Sequence, residues 1–333
     1  MSDSAGNNGN INRNIAESSS ESARSKWALY LKGMAMGLGD SVPGVSGGTI
    51  AIITNIYDKL VFSIKSVDLL ACKLLFAGRF LDMWRHVNGT FLLILFLGVL
   101  SGLLISANTV LFLLANYYAP LMSFFIGLVL ASCWLLKGEF NGKKWQNVFM
   151  LCLGALFAIG VGLLNPRSGE MTYLYVFFSG VIAISAMILP GLSGAFILLL
   201  LGVYEFILSA LISFDWPYIL VFVTGCVIGL LAFSRILAWL LLKHHQLSYG
   251  FITGMLLGSI TSLWPWQRTI SFYTDRSGEV HGLRTANILP QNYTELTGQE
   301  PMLAVAILSI VFGAVLVVLL HWVFNTRFQD KAD

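Results

Sequence analysis

Apolar residues dominate this chain in long runs, and short polar segments separate the runs. Uninterrupted apolar stretches of about 18 residues or more recur, and that length crosses a hydrocarbon core of about 30 Å. Hydrophobic residues make up 56% of the chain and charged residues 11%, against roughly a quarter charged in soluble domains. The pattern predicts an all-α polytopic membrane protein.

The runs divide the chain into two tails and two similar halves. Residues 1–26 form a polar segment that is expected to be a disordered cytoplasmic tail without a signal peptide. The first half, 27–165, is predicted to contain a broken hairpin at 27–62, an amphipathic stretch at 63–88 and transmembrane helices at 90–115, 119–136 and 146–164. The second half, 166–326, is predicted to contain a broken hairpin at 172–212, transmembrane helices at 217–242, 249–266 and 302–325, and an extracytoplasmic loop at 267–301. A cytoplasmic tail at 327–333 follows.

One short motif occurs in both broken segments. Pro43-Gly44-Val45-Ser46-Gly47-Gly48 is repeated as Pro190-Gly191-Leu192-Ser193-Gly194-Ala195, an offset of 147 positions. At the same offset Tyr57-Asp58 is matched by Tyr204-Glu205, and glycine and leucine matches continue through the next two helices at an offset of 127. A register held over this length indicates an internal duplication.

Lysine and arginine residues orient the two halves in opposite directions. They flank both ends of the first broken segment and recur near residues 137–144, 243 and 327–331, so these sides are expected to be cytoplasmic. Each arm of the broken segment has about 14 residues, or ~21 Å of helix, which is short for a span. We therefore expect a re-entrant hairpin, with full spanning as the alternative. Three crossings and one hairpin per half give an inverted repeat, as in many secondary transporters, and the two breaks are expected to meet near the midplane of the membrane.

The two breaks are candidate anion sites. Pro43 and Pro190 end the preceding half-helix because proline has no N–H, and Gly44 and Gly191 let the backbone turn. The half-helix that restarts offers unpaired N–H groups and the positive end of its dipole. Close packing of small residues is the alternative, and the duplication favours binding. The candidate phosphate-binding residues are Ser46, Gly47, Gly48, Thr49, Ser193, Gly194 and Arg235.

Several charged residues near the breaks are candidates for binding, coupling or gating. Arg235 is the only basic residue well inside a predicted spanning helix, where it faces an anion or snorkels to the head groups; its counterpart is the uncharged Asn108. Asp40 precedes only the first break, and it either binds a coupling cation or proton or caps the next half-helix. The other candidates for gating or coupling, with interfacial anchoring as the alternative for the tyrosines, are Tyr57, Asp58, Tyr204 and Glu205.

The sequence contains few residue patterns that would indicate catalysis, disulfide bonds or metal binding. The sequence has no Walker loop and no evident Ser-His-Asp or His-Glu-x-x-His arrangement, so an enzyme is not expected. The four cysteines lie in apolar or amphipathic segments and the five histidines are scattered. We therefore expect no disulfide, no metal site and no cofactor, with proton or Na⁺ coupling left open. No nucleic-acid partner is expected, and the oligomeric state is left open.

The residues around both breaks resemble a known bacterial membrane family. Residues 33–50, GMAMGLGDSVPGVSGGTI, and residues 187–195, MILPGLSGA, are similar to the signatures of the family known as "domain of unknown function 368". The resemblance covers about residues 27–325, and members are assigned as undecaprenyl-phosphate translocases of the PopT type. It implies a transporter in the bacterial cytoplasmic membrane that returns a polyprenyl phosphate from the outer to the inner leaflet for cell-envelope synthesis. The positions of the lysines and arginines predict that both termini are cytoplasmic, and the inverted duplication favours transport by alternating access.

Two other functions share part of this pattern. The motif is also similar to the Pro-Gly-x-Ser-Arg-Ser-Gly loop of undecaprenyl-pyrophosphate phosphatases. In both copies here the arginine is missing, because Gly47 and Gly194 follow the serine directly. The paired glutamates of those enzymes have no evident counterpart either, so transport is favoured over hydrolysis. A transporter of a small soluble anion shares every local feature and stays an alternative.

Overall fold

The computed structural model describes residues 25–40, 46–164, 170–274 and 280–329. The helices of the first half are α1 (25–40), α2 (Gly47–Ile53), α3 (Tyr57–Lys65), α4 (Leu69–Phe76), α5 (Phe80–His86), α6 (Gly89–Asn116), α7 (Tyr118–Leu136) and α8 (Trp145–Leu163). The elements of the second half are α9 (Tyr173–Ile188), α10 (Gly194–Leu200), α11 (Tyr204–Ser213), α12 (Trp216–Lys243), α13 (His245–Ser259), β1 (Gln267–Thr274), β2 (Val280–Asn287), α14 (Pro290–Thr297) and α15 (Leu303–Gln329). Pro43, Gly44 and most of both predicted tails lie outside the described residues.

Long apolar helices make up most of the described structure. Four of the described helices, α6, α7, α8 and α12, are long and apolar enough to cross a membrane, as expected of a multi-pass protein. α10 and α11 form one more apolar unit that is bent by 101°. α13 ends at Ser259 instead of the predicted 266, and its 15 residues span only about 22 Å. Ten of those residues are buried, so α13 is a core helix covered by its neighbours.

Two segments differ from their predicted structure. The amphipathic stretch at 63–88 contains two short helices, α4 and α5, because Gly78 takes a φ of +71° in the turn between them. Asp68 caps α4 by accepting a hydrogen bond from the Ala71 N–H (3.0 Å), and this bond holds the pKa of the Asp68 carboxyl below its ordinary value. The loop predicted at 267–301 contains the antiparallel pair β1–β2 and helix α14. The described chain is therefore all-α only outside this loop, where β-branched and aromatic residues favour a strand.

Glycines bring the long helices into backbone contact. At each such place a glycine on one helix lies so close to a backbone carbonyl oxygen of its neighbour that a methyl group would overlap it. Between the halves, these pairs are Gly154 with Phe251 and Gly254 with Leu151 for α8 and α13, and Gly127 with Ile310 and Gly313 with Phe124 for α7 and α15. Within the halves, they are Gly33 with Leu95 and Gly98 with Tyr30 for α1 and α6, and Gly180 with Phe222 and Gly225 with Phe177 for α9 and α12. Small residues let helices approach closely where lipid supplies no hydrophobic driving force.

Candidate functional site at the paired helix breaks

The two breaks lie against each other in the interior of the protein. The Ser46 hydroxyl donates to the carbonyl oxygen of Leu189 (3.3 Å). In return the Gly191 N–H donates to the hydroxyl oxygen of Thr49 (3.1 Å). Ser46 is fully buried and Thr49 is 2% exposed. Each of these bonds joins a residue of one motif to the residue next to the other motif, so the structure brings the two breaks together.

The two breaks also approach each other closely at Gly48. A Cβ atom on Gly48 would lie 2.8 Å from the carbonyl oxygen of Ile188. Real Cβ atoms essentially never approach an oxygen this closely, so only glycine fits while the breaks are in contact. On the other side, Gly191 has a φ of +85°, a left-handed conformation that glycine adopts without steric cost.

Asp40 occupies the start of α2. The Gly47 N–H donates to the Asp40 Oδ1, while the side chain of the N-cap residue Ser46 makes no capping bond. Asp40 therefore fills the capping role, one of its two predicted roles, and its carboxylate occupies the position expected for a bound anion. A negative charge here is favourable because it meets unpaired N–H groups and the positive end of the helix dipole.

Lys32 holds the other end of α2, and the sequence analysis missed this role. Its Nζ donates to the carbonyl oxygen of Thr54 (2.7 Å), the C-cap residue of α2. The available signal was the spacing from Lys32 to Asp40, because residues eight positions apart share one face of a helix. α2 is thus held between a cation at its C-terminal end and an anion at its N-terminal end, both from α1.

The second break lacks this charged pair. The positions that correspond to Lys32 and Asp40 are Ser179 and Met187, and the Ser179 hydroxyl donates only within its own helix, to the Tyr175 carbonyl (2.7 Å). α10 is capped instead by Ser193, whose hydroxyl accepts a weak bond from the Phe196 N–H (3.4 Å). The two half-helices are therefore held by different chemistry, although their motifs are alike.

Arg235 does not contact the paired breaks through its hydrogen bonds. Its guanidinium donates to the carbonyl oxygens of Leu231 (2.6 Å) and Val67 (3.0 Å), and the residue is exposed. It joins α12 to the segment just after α3, and its hydrogen bonds run to neutral carbonyls instead of to the breaks. Its counterpart Asn108 lies on α6, but that side chain is outside the described part of the structure.

The two Tyr-acid pairs have different surroundings. Asp58 accepts a hydrogen bond from the Tyr249 hydroxyl (2.8 Å), which joins α3 of the first half to α13 of the second. Tyr57 is buried, and its hydroxyl has no hydrogen-bond partner among the described residues. Tyr204 and Glu205 are half-buried at the start of α11. Of these predicted gating residues, Asp58 therefore contacts the other half directly.

Metal-ligating residues do not cluster in the described part of the chain. No group of three or more His, Cys, Asp or Glu side chains there is placed to hold a metal ion. All four cysteines are free thiols.

Comparison with known proteins identifies the family. A family profile described as undecaprenyl phosphate translocase-like matches residues 36–281. A protein of Vibrio cholerae serotype O1 named polyprenyl-phosphate transporter is 44% identical over 290 residues, which cover 87% of this chain and 94% of that protein. A Staphylococcus aureus protein of the same name is 32% identical over 258 residues, covering 72% of this chain and 87% of that protein. No solved structure matches the chain.

These descriptions are names of transporters and not of enzymes. They agree with the resemblance carried by the two Pro-Gly-x-Ser-Gly motifs, which is thereby confirmed. The chain belongs to the undecaprenyl phosphate translocase-like family of membrane transporters.

Proposed function

We propose that this protein carries polyprenyl phosphate from the outer to the inner leaflet of the bacterial cytoplasmic membrane, where cell-envelope synthesis reuses it. The relatives named polyprenyl-phosphate transporters support the substrate. The observation that carries the mechanism is the direct contact between the two helix breaks in the buried interior. Irregular backbone at membrane depth persists where it is buried in protein or lines a cavity, and paired broken helices form the substrate sites of many secondary transporters.

We also propose that the chain is an inverted repeat with both termini in the cytoplasm. The glycine contacts between the halves support this arrangement. At the offset of 127, Phe124 and Gly127 on α7 align with Phe251 and Gly254 on α13. At an offset of 159, Leu151 and Gly154 on α8 align with Ile310 and Gly313 on α15. Under this exchange the contacts between α7 and α15 become the contacts between α8 and α13, which is the result expected of a two-fold axis.

In this mechanism the breaks separate to admit the phosphate. The contact contains two hydrogen bonds between neutral groups, each worth about 0.5–1.5 kcal/mol net. Separation frees the Ser46 hydroxyl and the Gly191 N–H, which become donors for a phosphate oxygen. Hydrogen bonds to a charged group are worth about 1.5–3 kcal/mol each, so binding of a lipid phosphate can offset the loss of the two hydrogen bonds between the breaks. The proposed phosphate-binding residues are Ser46, Gly48, Thr49, Ser193 and Gly194, and the Gly47 N–H stays bonded to Asp40.

The two breaks have different parts in this movement. α2 stays with α1 because Lys32 and Asp40 hold both of its ends. α10 has only the weak Ser193 cap at the corresponding end. We therefore propose that α10 and the second break move away from a fixed first break. Proton or Na⁺ coupling would act through Asp58 or Glu205, because the Asp40 carboxylate is engaged at the start of α2.

Reconstituted transport tests the proposal. Proteoliposomes containing polyprenyl phosphate are followed for the fraction of lipid phosphate accessible from outside, with and without proton and Na⁺ gradients. Ser46→Ala and Ser193→Ala are expected to slow translocation at normal protein amounts, and Arg235→Gln tests whether its guanidinium meets the phosphate on the way. Ser213→Ala is the matched control, because this exposed hydroxyl donates within its own helix, to Ser209 (2.8 Å).

Three outcomes contradict the proposal. Unchanged translocation in all three variants would remove the site assignment. Release of phosphate from the pyrophosphate lipid by the purified protein would show an enzyme. Uptake of inorganic phosphate at the rate of the lipid would indicate a transporter of soluble anions.

A further inference from the structure

A basic cavity lies where the start of α1 meets α3, α5 and the start of α6. Its volume is about 390 Å³, within the range of small-ligand sites. The Lys59 Nζ lies 4.8 Å from the centre of the Phe91 ring, and the Trp84 Nε1 donates to the Thr90 hydroxyl (2.9 Å). Of the described residues that line the cavity, none is acidic and three are cationic: Lys26, Lys59 and Arg85.

The start of α6 adds to this positive field. Gly89, Thr90 and Phe91 line the cavity and are the first three residues of a 28-residue helix. The N-cap residue Asn88 makes no side-chain capping bond at this end. Unpaired N–H groups and the positive end of a long helix dipole favour an anion there. Three cations, all of them exposed, and a helix start therefore converge on one open cavity, where an anionic ligand can reach them.

The corresponding place in the second half is closed. The two offsets of the duplication align Lys26 with Tyr173, Lys59 with Phe206 and Phe91 with Tyr218. The Tyr218 ring centre lies 4.6 Å from that of Tyr173 and 4.8 Å from that of Phe206. Arg85 has no counterpart, because α11 leads almost directly into α12. In the second half, packed aromatic rings thus occupy the positions at which the first half has lysines around a cavity. The repeated fold therefore does not by itself create this cavity.

The surroundings of the cavity fit a lipid better than a free ion. α4 and α5 lie beside it and expose large apolar side chains, as interfacial helices do. α6 continues from the cavity as an apolar helix of spanning length. Its exposed apolar residues in the first turns beyond the cavity are Leu93, Phe96, Leu97 and Leu100. A ligand with its anionic head in the cavity can therefore lay a hydrocarbon chain along α6.

We propose that the basic cavity binds the phosphate group of a lipid in the leaflet next to the start of α1. In the orientation proposed above this is the cytoplasmic leaflet, where basic pockets between helices bind anionic head groups. The site is separate from the paired breaks and needs no transport to be occupied. A transported polyprenyl phosphate arriving in this leaflet is one such lipid, and this last identification alone rests on the proposed function.

Binding to the full-length protein in a neutral maltoside detergent tests the proposal. Native mass spectrometry and thermal shifts are recorded with dioctanoyl phosphatidic acid, with dioctanoyl phosphatidylcholine and with inorganic phosphate. Phosphatidic acid is expected to bind about tenfold more tightly than either of the others, because only it combines a doubly charged phosphate with acyl chains. Equal binding of phosphatidylcholine would overturn the phosphate recognition, and equal binding of inorganic phosphate would overturn the assignment to a lipid.

Variants locate the binding. Arg85→Gln and Lys59→Gln are each expected to weaken phosphatidic acid binding by about tenfold, the effect of losing one charge-assisted hydrogen bond. Arg79→Gln is the matched control, because Arg79 precedes the same helix α5, carries the same charge and pairs with Asp82 (2.8 Å) outside the cavity. An equal loss in Arg79→Gln would show unspecific attraction and overturn the site.

A filling substitution gives a second, independent test. Lys59→Phe introduces the residue that stands at the aligned position of the second half, and it is expected to abolish binding while the thermal stability stays at the wild-type level. Phosphatidic acid binding retained at the wild-type level in this variant would overturn the site. Because the readout is binding, a failure of the transport assay leaves this proposal standing, and the reverse is also true.

Discussion

The contact between the two breaks can be weakened by removing a single oxygen atom. Thr49→Val keeps the shape of the side chain but removes the acceptor of the Gly191 N–H, which lies 3.1 Å away in a buried position. The left-handed φ of +85° at Gly191 fixes the direction of this N–H. A buried donor without a partner costs about 1–3 kcal/mol, which corresponds to a factor of about 5 to 150 in the equilibrium between joined and separated breaks.

Two measurements on the protein in phospholipid nanodiscs detect this change. Thermal unfolding reports the loss of stability, and hydrogen exchange of a peptide that contains Gly191 reports the opening of the breaks. Thr49→Val is expected to lower the unfolding temperature and to raise exchange at Gly191. Under the proposed mechanism the same variant also shifts transport, because the separated breaks are populated more.

Thr54→Val is the control for this substitution. Thr54 is also buried and on the same half-helix, but its hydroxyl donates within that helix, to the Ile50 carbonyl (2.8 Å). The Ile50 carbonyl keeps the backbone N–H of Thr54 as a donor (3.0 Å), so the expected loss is below about 1 kcal/mol. Equal stability and equal exchange at Gly191 in the two variants would refute the contribution assigned to the contact between the breaks.

Substitutions at Gly154, Asp40 and Tyr249 test three other contacts by thermal unfolding and transport. Gly154→Ala places a methyl group against the facing carbonyl oxygen and is expected to lower the stability by about 1–3 kcal/mol. Gly160→Ala on the same helix is the control, because its methyl group meets open space. Equal losses of stability in the two variants would contradict the backbone contact. Asp40→Asn keeps a capping oxygen, so it is expected to retain stability and transport, whereas Asp40→Ala is expected to lose about 1 kcal/mol of stability. A stable Asp40→Asn variant without transport activity would instead show that the charge serves coupling. Tyr249→Phe removes the donor to Asp58 and is expected to cost about 1–2 kcal/mol, and an unchanged unfolding temperature would show that this bond does not hold the halves together.

The sequence was sufficient to predict the long helices and the meeting of the two breaks. Apolar runs reveal spanning helices because lipid leaves the backbone few other structures, and the repeated motif with its fixed offsets indicated two equivalent breaks. The capping bond of Asp40 follows from its position before a helix start, and it was one of the two predicted alternatives.

Contacts between distant helices could not be predicted in this way. Arg235 was expected near the breaks, but it bonds to the Val67 carbonyl because α12 packs against α3. Helix faces in lipid are all apolar, so the sequence pattern does not say which faces pair. The bond from Lys32 to the Thr54 carbonyl could not be predicted, because it depends on how far α2 folds back along α1. The division of α4 from α5 occurs at Gly78, whose left-handed conformation the pattern of apolar residues does not reveal.

The pairing of α7 with α15 also sets an order for biosynthesis. Gly127 is made early, yet its contact, the Ile310 carbonyl, lies on the last helix of the chain. At 5–20 residues per second, the intervening stretch of about 180 residues takes roughly 10–40 s to synthesise. During that interval α7 lies in the bilayer without α15, so the face that contains Gly127 is not covered by its final partner. A nascent chain that stops before α15 therefore exposes the glycine face of α7 to other helices in the bilayer, and the insertion of α15 is the event that covers this face.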